Sequence, residues 1–433
     1  MAENVNTTEF QSHSIFSGIV ETKSPVLKFL HSKTKSDSSL TRVTIENLKK
    51  KCSRESFSSL FYDGVIDARY PCKKLGGQYK EIAHYRKPIN ETITYYYDKE
   101  AKVEYSCHVV EVDYRVFSDH MLIFSITVDN SHLNFDEIAF QNRMIRGVKF
   151  YEKNDFTKEY FALFDTLLEM MRWCDKDFND DLSHSLFAGN KMYNYLLVRL
   201  NEEQDKDYGD DMLYDLATES NLGTSSDPSN SRSHTSQYKD MLINTQSISC
   251  FNSWKGLVLN DTVCVLMKSS EPNVRYKNWM IEYFEFIYLN VFYIKAYLVQ
   301  VNKKYQNKNA TSSLEQEYLE FDRTFNFRNI SYNFLPQLIY DRMRVGMEIN
   351  DELNQLKEKI STYSEKCERE NEKTINRILF FLTFFTITSA INDGVELFAC
   401  DGAGGYNWWK INLFVVAIVI AIFTWILYYK KRK

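Results

Sequence analysis

Glycine and proline are scarce in this chain, at 14 and 6 residues of 433. That scarcity excludes collagen-like and low-complexity architectures and favours a chain dense in regular elements. No two cysteines stand at CxxC spacing, which removes zinc-ribbon and thioredoxin-like readings. The eight cysteines are expected to be free thiols in a reducing compartment, since a chain this long needs no disulfide scaffold. Positive charge is not in excess: the formal net charge is -5, so nucleic acid is not expected as a direct partner. The N-terminus lacks a basic start and an apolar core, and no secretory signal is expected. The phosphate-loop pattern GxxxxGKS/T, the dinucleotide fingerprint GxGxxG and the zinc motif HExxH are missing. The histidines form no metal spacing and no nucleophile–base set stands out, so no enzyme is expected. Two acidic runs, from Asp175 and from Asp205, lack the sixth-position glycine and twelfth-position acid of a calcium loop and read as solvated acidic loops.

What the chain has in quantity is aromatic and branched residues, with 30 Phe and 29 Tyr. Thr92 to Asp98, Val103 to Phe117 and His120 to Asp129 read as strands. Met192 to Leu200 and Asp261 to Ser269 are candidates for further strands, while Phe135 to Phe150 and Phe156 to Trp173 have helical spacing. Residues 1–270 are therefore expected to form a cytoplasmic α/β domain, a mixed sheet with helices. A polar, Ser-rich stretch at 218–238 reads as a mobile loop, too poor in apolar residues to offset its ordering entropy.

Residues 271–374 read as a helical hairpin followed by a long stalk helix. Tyr276 to Tyr305 is continuously apolar and aromatic, Asn307 to Ser313 forms a turn, and Leu314 to Phe327 runs back. A third helix from near Pro336 carries a 4-3 stripe through Gly346, Ile349, Leu353, Leu356, Ile360, Tyr363 and Cys367. Nothing in the sequence requires a break before Ile375, although an ordinary intramolecular bundle would show the same short stripe. The basic cluster Arg143, Arg146 and Lys149 is a weak candidate for an anionic ligand, through paired guanidinium contacts, against the plainer reading of a solvated helix face.

The last part of the chain reads as membrane. Ile411 to Tyr429 is uncharged, close to the span a bilayer core requires, with Trp408 and Trp409 before it and Lys430 to Lys433 after it. A second apolar run, 375–391, lies one short loop upstream, which suits a hairpin crossing the bilayer twice. Lys373 and Arg377 precede the first span, and the loop from Asn392 to Asn407 has no Lys or Arg. The positive-inside rule then places both termini, with the basic tail 430–433, in the cytoplasm and the loop 392–410 outside. The expected location is the inner (plasma) membrane, multi-pass, with 411–429 as the second span.

Asn371 to Ile391, Asn407 to Lys433 and the spacing between them resemble the membrane module of the CorA family of cation channels. The order of elements upstream is similar as well. The resemblance implies a homopentamer whose first span lines an axial pore; Thr383, Thr386, Ser389, Asn392 and Asp393 would be the polar track. Where that family carries Gly-Met-Asn, this chain has Asp393, Gly394, Val395 and Glu396 as outer-loop selectivity candidates. A ring of such acids attracts cations by field rather than selecting hydrated magnesium by fit. The resemblance extends to a branch of CorA-like proteins that accompanies type III CRISPR systems. It implies a ligand-gated membrane effector of antiviral defence that answers a nucleotide second messenger. A constitutive divalent-cation transporter and a membrane-anchored non-channel binding protein stand as alternatives. No cofactor is expected beyond a divalent cation and that nucleotide ligand.

Overall fold

The computed structural model describes residues 9–22, 26–43, 56–66, 83–98, 103–118, 121–147, 163–179, 191–227, 229, 234–306 and 312–399. It divides into two compact units, Met1–Lys357 and Glu358–Lys433. The first is a mixed α/β unit built on a nine-stranded sheet of order β2-β3-β4-β5-β1-β6-β9-β8-β7.

The strands are β1 (Gln11–Glu21), β2 (Thr41–Arg42), β3 (Ala83–Asp98), β4 (Val103–Ser118), β5 (Met121–Asp129), β6 (Tyr193–Arg199), β7 (Ser247–Ile248), β8 (Trp254–Val258) and β9 (Thr262–Met267). All pairings are antiparallel except β6 with β9. The strands foreseen at Thr92 and Val103 fall within β3 and β4, and those foreseen at His120, Met192 and Asp261 overlap β5, β6 and β9, with ends one or two residues longer. β1 was not foreseen, yet it lies mid-sheet between β5 and β6.

Helices cover both faces. Because paired residues share a face, Ser14 of β1 lies level with Val128 and Leu196, while Ile15 lies level with Thr127 and Tyr195 on the other side. Onto the first face pack α1 (Val26–Ser36), α2 (Phe135–Arg146), α3 (Asp165–Cys174) and α4 (Asp210–Ala217), with Phe16, Val112, Tyr114, Phe124 and Leu196 among the buried core. An Asn134–Glu137 capping box starts α2. The second face is covered by one long helical segment made of α6 (Asn273–Asn278), a π-helical stretch (Trp279–Tyr288) and α7 (Leu289–Gln306). Tyr195 packs on Phe284 and Tyr288, Tyr193 on Phe292, and Phe117 stacks on Tyr293.

Three expectations change. The Ser-rich stretch is not wholly a loop. Asp215 accepts hydrogen bonds from the backbone of Gly223 and Ser225, Leu222 donates to Asp136, and α5 (Ser236–Gln246) begins inside it with Thr235 as its cap. Carboxylates fixed on α4 and α2 supply the order that apolar residues do not. Second, the stalk is not one helix from Pro336. After α8 (Ser312–Phe325), α9 (Phe334–Gly346) stops and α10 (Ile349–Ala399) starts anew. Glu348 takes a left-handed φ of 58° at the break. Beside it Gly346 sits so close to β8 that an added Cβ would lie 2.4 Å from the Val258 carbonyl oxygen. Third, α10 runs through Asp393 to Glu396 as helix, so the loop expected at 392 does not begin before Ala399.

Of the heptad stripe, Ile349, Leu353 and Leu356 are buried, and Ile360, Tyr363 and Cys367 are half-buried. The described cysteines, Cys107, Cys174, Cys250, Cys264 and Cys367, are free; Cys52, Cys72 and Cys400 lie outside the described residues. The expected second span, 411–429, and the basic tail also lie outside them.

Candidate functional site

Strand β4 alternates apolar and charged residues: Val112, Tyr114 and Val116 point into the core, and Glu111, Asp113 and Arg115 point to the other face. On an exposed strand that alternation would be a solvated surface. Here the π-helical segment lies over it, so Asp113 and Arg115 are only 1% exposed. Neighbouring β3 adds His84 and Arg86 at the same period, and the helical segment adds Glu285 from a run rich in aromatic residues. The π-helical winding is itself a costly local geometry that proteins retain mostly where side chains must be aimed.

The charges form one connected network. Arg115 grips Glu285 through Nε, 2.8 and 2.9 Å from the two carboxylate oxygens, and through a still shorter Nη2 contact. Its Nη1 donates to Ser125 at 3.0 Å, and its Nη2 lies 3.2 Å from Asp113. Arg86 donates to Asp113 from Nε at 2.8 Å, and its Nη2 meets Glu111 at 3.0 Å. His84 Nε2 lies 2.6 Å from Asp113 Oδ1. Burial foremost, and then Arg115, lowers the His84 pKa, against the opposing pull of Glu285 and Asp113.

The acids separate by environment. Burial alone would raise the Asp113 pKa, but Arg115, His84 and Arg86 outweigh it and hold the group far below the usual carboxylate range. Burial likewise opposes the ionisation of Glu285, and Arg115 with His84 overcomes it. Glu111 goes the other way: burial first, then the Asp113 charge, pushes it up to about 7.

Between this network and the helical segment lies a cavity of about 360 Å³. Gln11, His13 and Ile15 of β1 and Thr127 of β5 line one side; Tyr276, Met280, Ile281 and Phe284 line the other. His13 Nδ1 is 2.7 Å from the Tyr276 hydroxyl, tying β1 to the helix above it. Lys277, an exposed residue, also lines the cavity. The volume suits a small ligand, and the mixture of an apolar side with convergent polar groups is that of a binding pocket. Among the described residues no group of three or more His, Cys, Asp or Glu side chains could hold a metal ion.

The candidates read from sequence lie elsewhere. The Arg146 guanidinium is held by Asp261 at 2.5 Å and Glu219 at 3.0 Å, and Arg143 donates to the Glu219 carbonyl at 2.5 Å. These are the molecule's own counter-charges, and they leave little for an anionic ligand. Lys149 lies outside the described residues.

On α10, Thr383 and Thr386 donate their hydroxyls to the carbonyls of Leu379 and Leu382 one turn back. Each oxygen then offers the surroundings acceptor lone pairs only, as does Thr388, bonded to Phe384. Ser389 and Asp393 are exposed on the same helix, and Asn392, Gly394, Val395 and Glu396 belong to its backbone course. The neighbouring apolar side chains are exposed too: Leu382 is 58% and Phe385 65% exposed. By length and composition this is the one helix among the described residues able to cross a membrane, and none of its apolar window is buried.

Neither models of known protein families, nor curated proteins, nor solved structures give a match to this chain.

Proposed function

We propose that this chain is a subunit of a CorA-like homopentameric channel of the plasma membrane, with its α/β unit as a cytoplasmic ligand sensor. In this reading 375–391 and 411–429 cross the bilayer, and the first span lines the pore with Thr383, Thr386, Ser389, Asn392 and Asp393. The observation that carries it is the exposed apolar stretch of α10. Ile378, Leu379, Leu382, Phe385, Ile387 and Ile391 are each at least 40% exposed. Each forgoes on the order of 1 kcal/mol or more relative to burial. The sum rivals the ~5–15 kcal/mol that stabilises a whole domain. Hydrocarbon is the surrounding that removes this cost, and back-bonded threonines are the form in which hydroxyls enter it. Acceptor-only oxygens along one helix face also suit the passage of cations.

The cavity over β4 supports a gated channel rather than a constitutive transporter, because a pore that is always open has no use for it. The CorA-like resemblance brings forward a nucleotide second messenger of type III CRISPR defence as the opening signal.

The test is cation flux from liposomes that contain the purified full chain. Flux that appears only with an added nucleotide messenger, such as an adenylated S-adenosylmethionine, supports the gated effector. Flux without any addition would replace it by the constitutive transporter. A monomer without conductance would leave only a tethered binding protein.

A further inference from the structure

Among the described residues three that are not glycine take a left-handed backbone: Asn90, Glu219 and Glu348, at φ 50°, 55° and 58°. Such a conformation is costly for a residue with a Cβ and persists only where its surroundings hold it. Asn90 lies at a register shift of β3, between Pro88 and Glu91, and asparagine tolerates the geometry. Glutamate has no comparable tolerance. Both glutamates are held from outside their own segments, and the two sets of contacts meet at one place, the turn between β8 and β9.

Glu219 follows α4 and begins the Ser-rich segment, with its side chain buried. Arg146 Nη1 lies 3.0 Å from Glu219 Oε2, Asn194 Nδ2 donates to Oε1 at 3.0 Å, and Arg143 donates to the Glu219 carbonyl. Arg146 ends α2, and its Nη2 meets Asp261 of the turn at 2.5 Å. The Asp261 carbonyl also accepts from the Asn194 backbone at 3.0 Å, which ties the turn to the start of β6. The preceding turn residue, Asn260, donates Nδ2 to Glu348 Oε2 at 2.9 Å. Asn260 Oδ1 accepts from Lys295 Nζ, which lies 3.8 Å from Glu348. Lys295, on α7, is 6% exposed, and Asn260 and Glu348 are its polar partners among the described residues. A buried ammonium with so few partners holds them firmly. The Glu348 carbonyl in turn accepts from the Glu352 backbone in the first turn of α10.

We propose that Arg146 and the β8–β9 turn couple the two strained glutamates, so that the Ser-rich segment beginning at Glu219 and the α9–α10 break at Glu348 loosen together. The carrier is a run of charged and amide contacts, Glu219 to Arg146 to Asp261, then Asn260 to Glu348 and Lys295, with a left-handed residue at each end. All of these residues belong to the unit Met1–Lys357. The coupling does not rest on the channel reading; under that reading it supplies a route from the surface of the α/β unit to the start of α10.

The test is amide hydrogen exchange of the detergent-solubilised full chain, which reads local opening segment by segment. Arg146→Lys keeps the charge but loses the fork that serves two carboxylates at once. It is expected to speed exchange about threefold or more over 217–226 and also over 345–352, a segment with which Arg146 shares no hydrogen bond or ion pair. In an Asn260→Ala background, Arg146→Lys should still act on 217–226 and no longer on 345–352. Asn90→Gly, at the left-handed residue outside the network, should leave both segments unchanged. Exchange over 345–352 that Arg146→Lys does not alter overturns the proposal. So does an Arg146→Lys effect there that persists in full with Asn260→Ala, or an equal rise over 110–128 in β4 and β5, which is global loosening. Liposome flux plays no part in these measurements, so the channel reading stands or falls separately.

Discussion

In the α/β unit, Asp113, Arg115 and Glu285 are sealed beneath a helix, and their charges are satisfied by one another. Along 375–391 the opposite holds: Leu382 and Phe385 stand more than half exposed, and the polar hydroxyls are turned back onto their own helix. The first region follows the rules of a molecule in water, where charge enters the interior only when paired. The second satisfies its hydroxyl groups within its own helix, which is the condition a segment in hydrocarbon would have to meet. The contrast separates a part whose charges are satisfied by tertiary packing from a part whose polar groups are satisfied within one helix.

The sharpest way to break the first half of this comparison is Arg115→Met. It strands Glu285 and Asp113 without their main counter-charge and is expected to cost about 3–5 kcal/mol. Urea unfolding of the full chain in detergent measures it, and adding Glu285→Met should recover part of the loss, because an apolar pair can replace a buried ion pair. The second half is broken by Leu382→Arg. A charge near the middle of a span costs about 2.5–3.5 kcal/mol in membrane insertion. A glycosylation-site insertion assay should show a clear fall in the inserted fraction, and unchanged insertion would remove the span. Gly346→Ala comes next. Its methyl group would meet the Val258 backbone at 2.4 Å, and about 1–3 kcal/mol of overpacking is expected in the same unfolding measurement.

The smallest effect is the pH dependence carried by Glu111. Its folded pKa, about 7, is above the ordinary 4.5, so the unfolded chain releases this proton first as pH rises. Glu111 therefore lowers stability progressively between pH 4.5 and 7. Asp113 and Glu285, with lowered pKa values, contribute stability that is lost instead at strongly acid pH. Glu111→Gln should leave stability at pH 4.5 nearly unchanged and raise it at pH 7 by on the order of 1 kcal/mol. Glu282, also pushed up to about 7 by burial, retains its own share of the slope in the variant.

The strands with alternating branched and aromatic residues were legible in the sequence, because period two leaves a direct trace. The apolar part of α10 was legible in the same direct way, as a run of apolar residues. The site was not. Glu111, Asp113 and Arg115 at alternate positions look the same whether water or a helix covers them, and only tertiary packing decides. A sign was present: Glu285 is a carboxylate inside a long aromatic run, and an acid in such a place needs a buried base somewhere. The π-helical stretch leaves no such trace, since aromatic and aliphatic residues occupy every position of it but Glu282 and Glu285. The break at Glu348 was hidden because glutamate is not a usual left-handed residue; Gly346 was visible but reads equally as part of a stripe.

The place of β1 in the middle of the sheet has a consequence for how the protein is made. Its two neighbours, β5 and β6, follow it by about a hundred residues and more in the chain. At a synthesis rate of ~5–20 residues per second, β1 waits roughly 5–20 s for its first partner. During that interval Ile15, Phe16, Ile19 and Val20, all buried in the finished fold, emerge on a strand with both edges unpaired. Such a segment is a natural holding point for a ribosome-associated chaperone, and refolding from denaturant should be slow for the same topological reason.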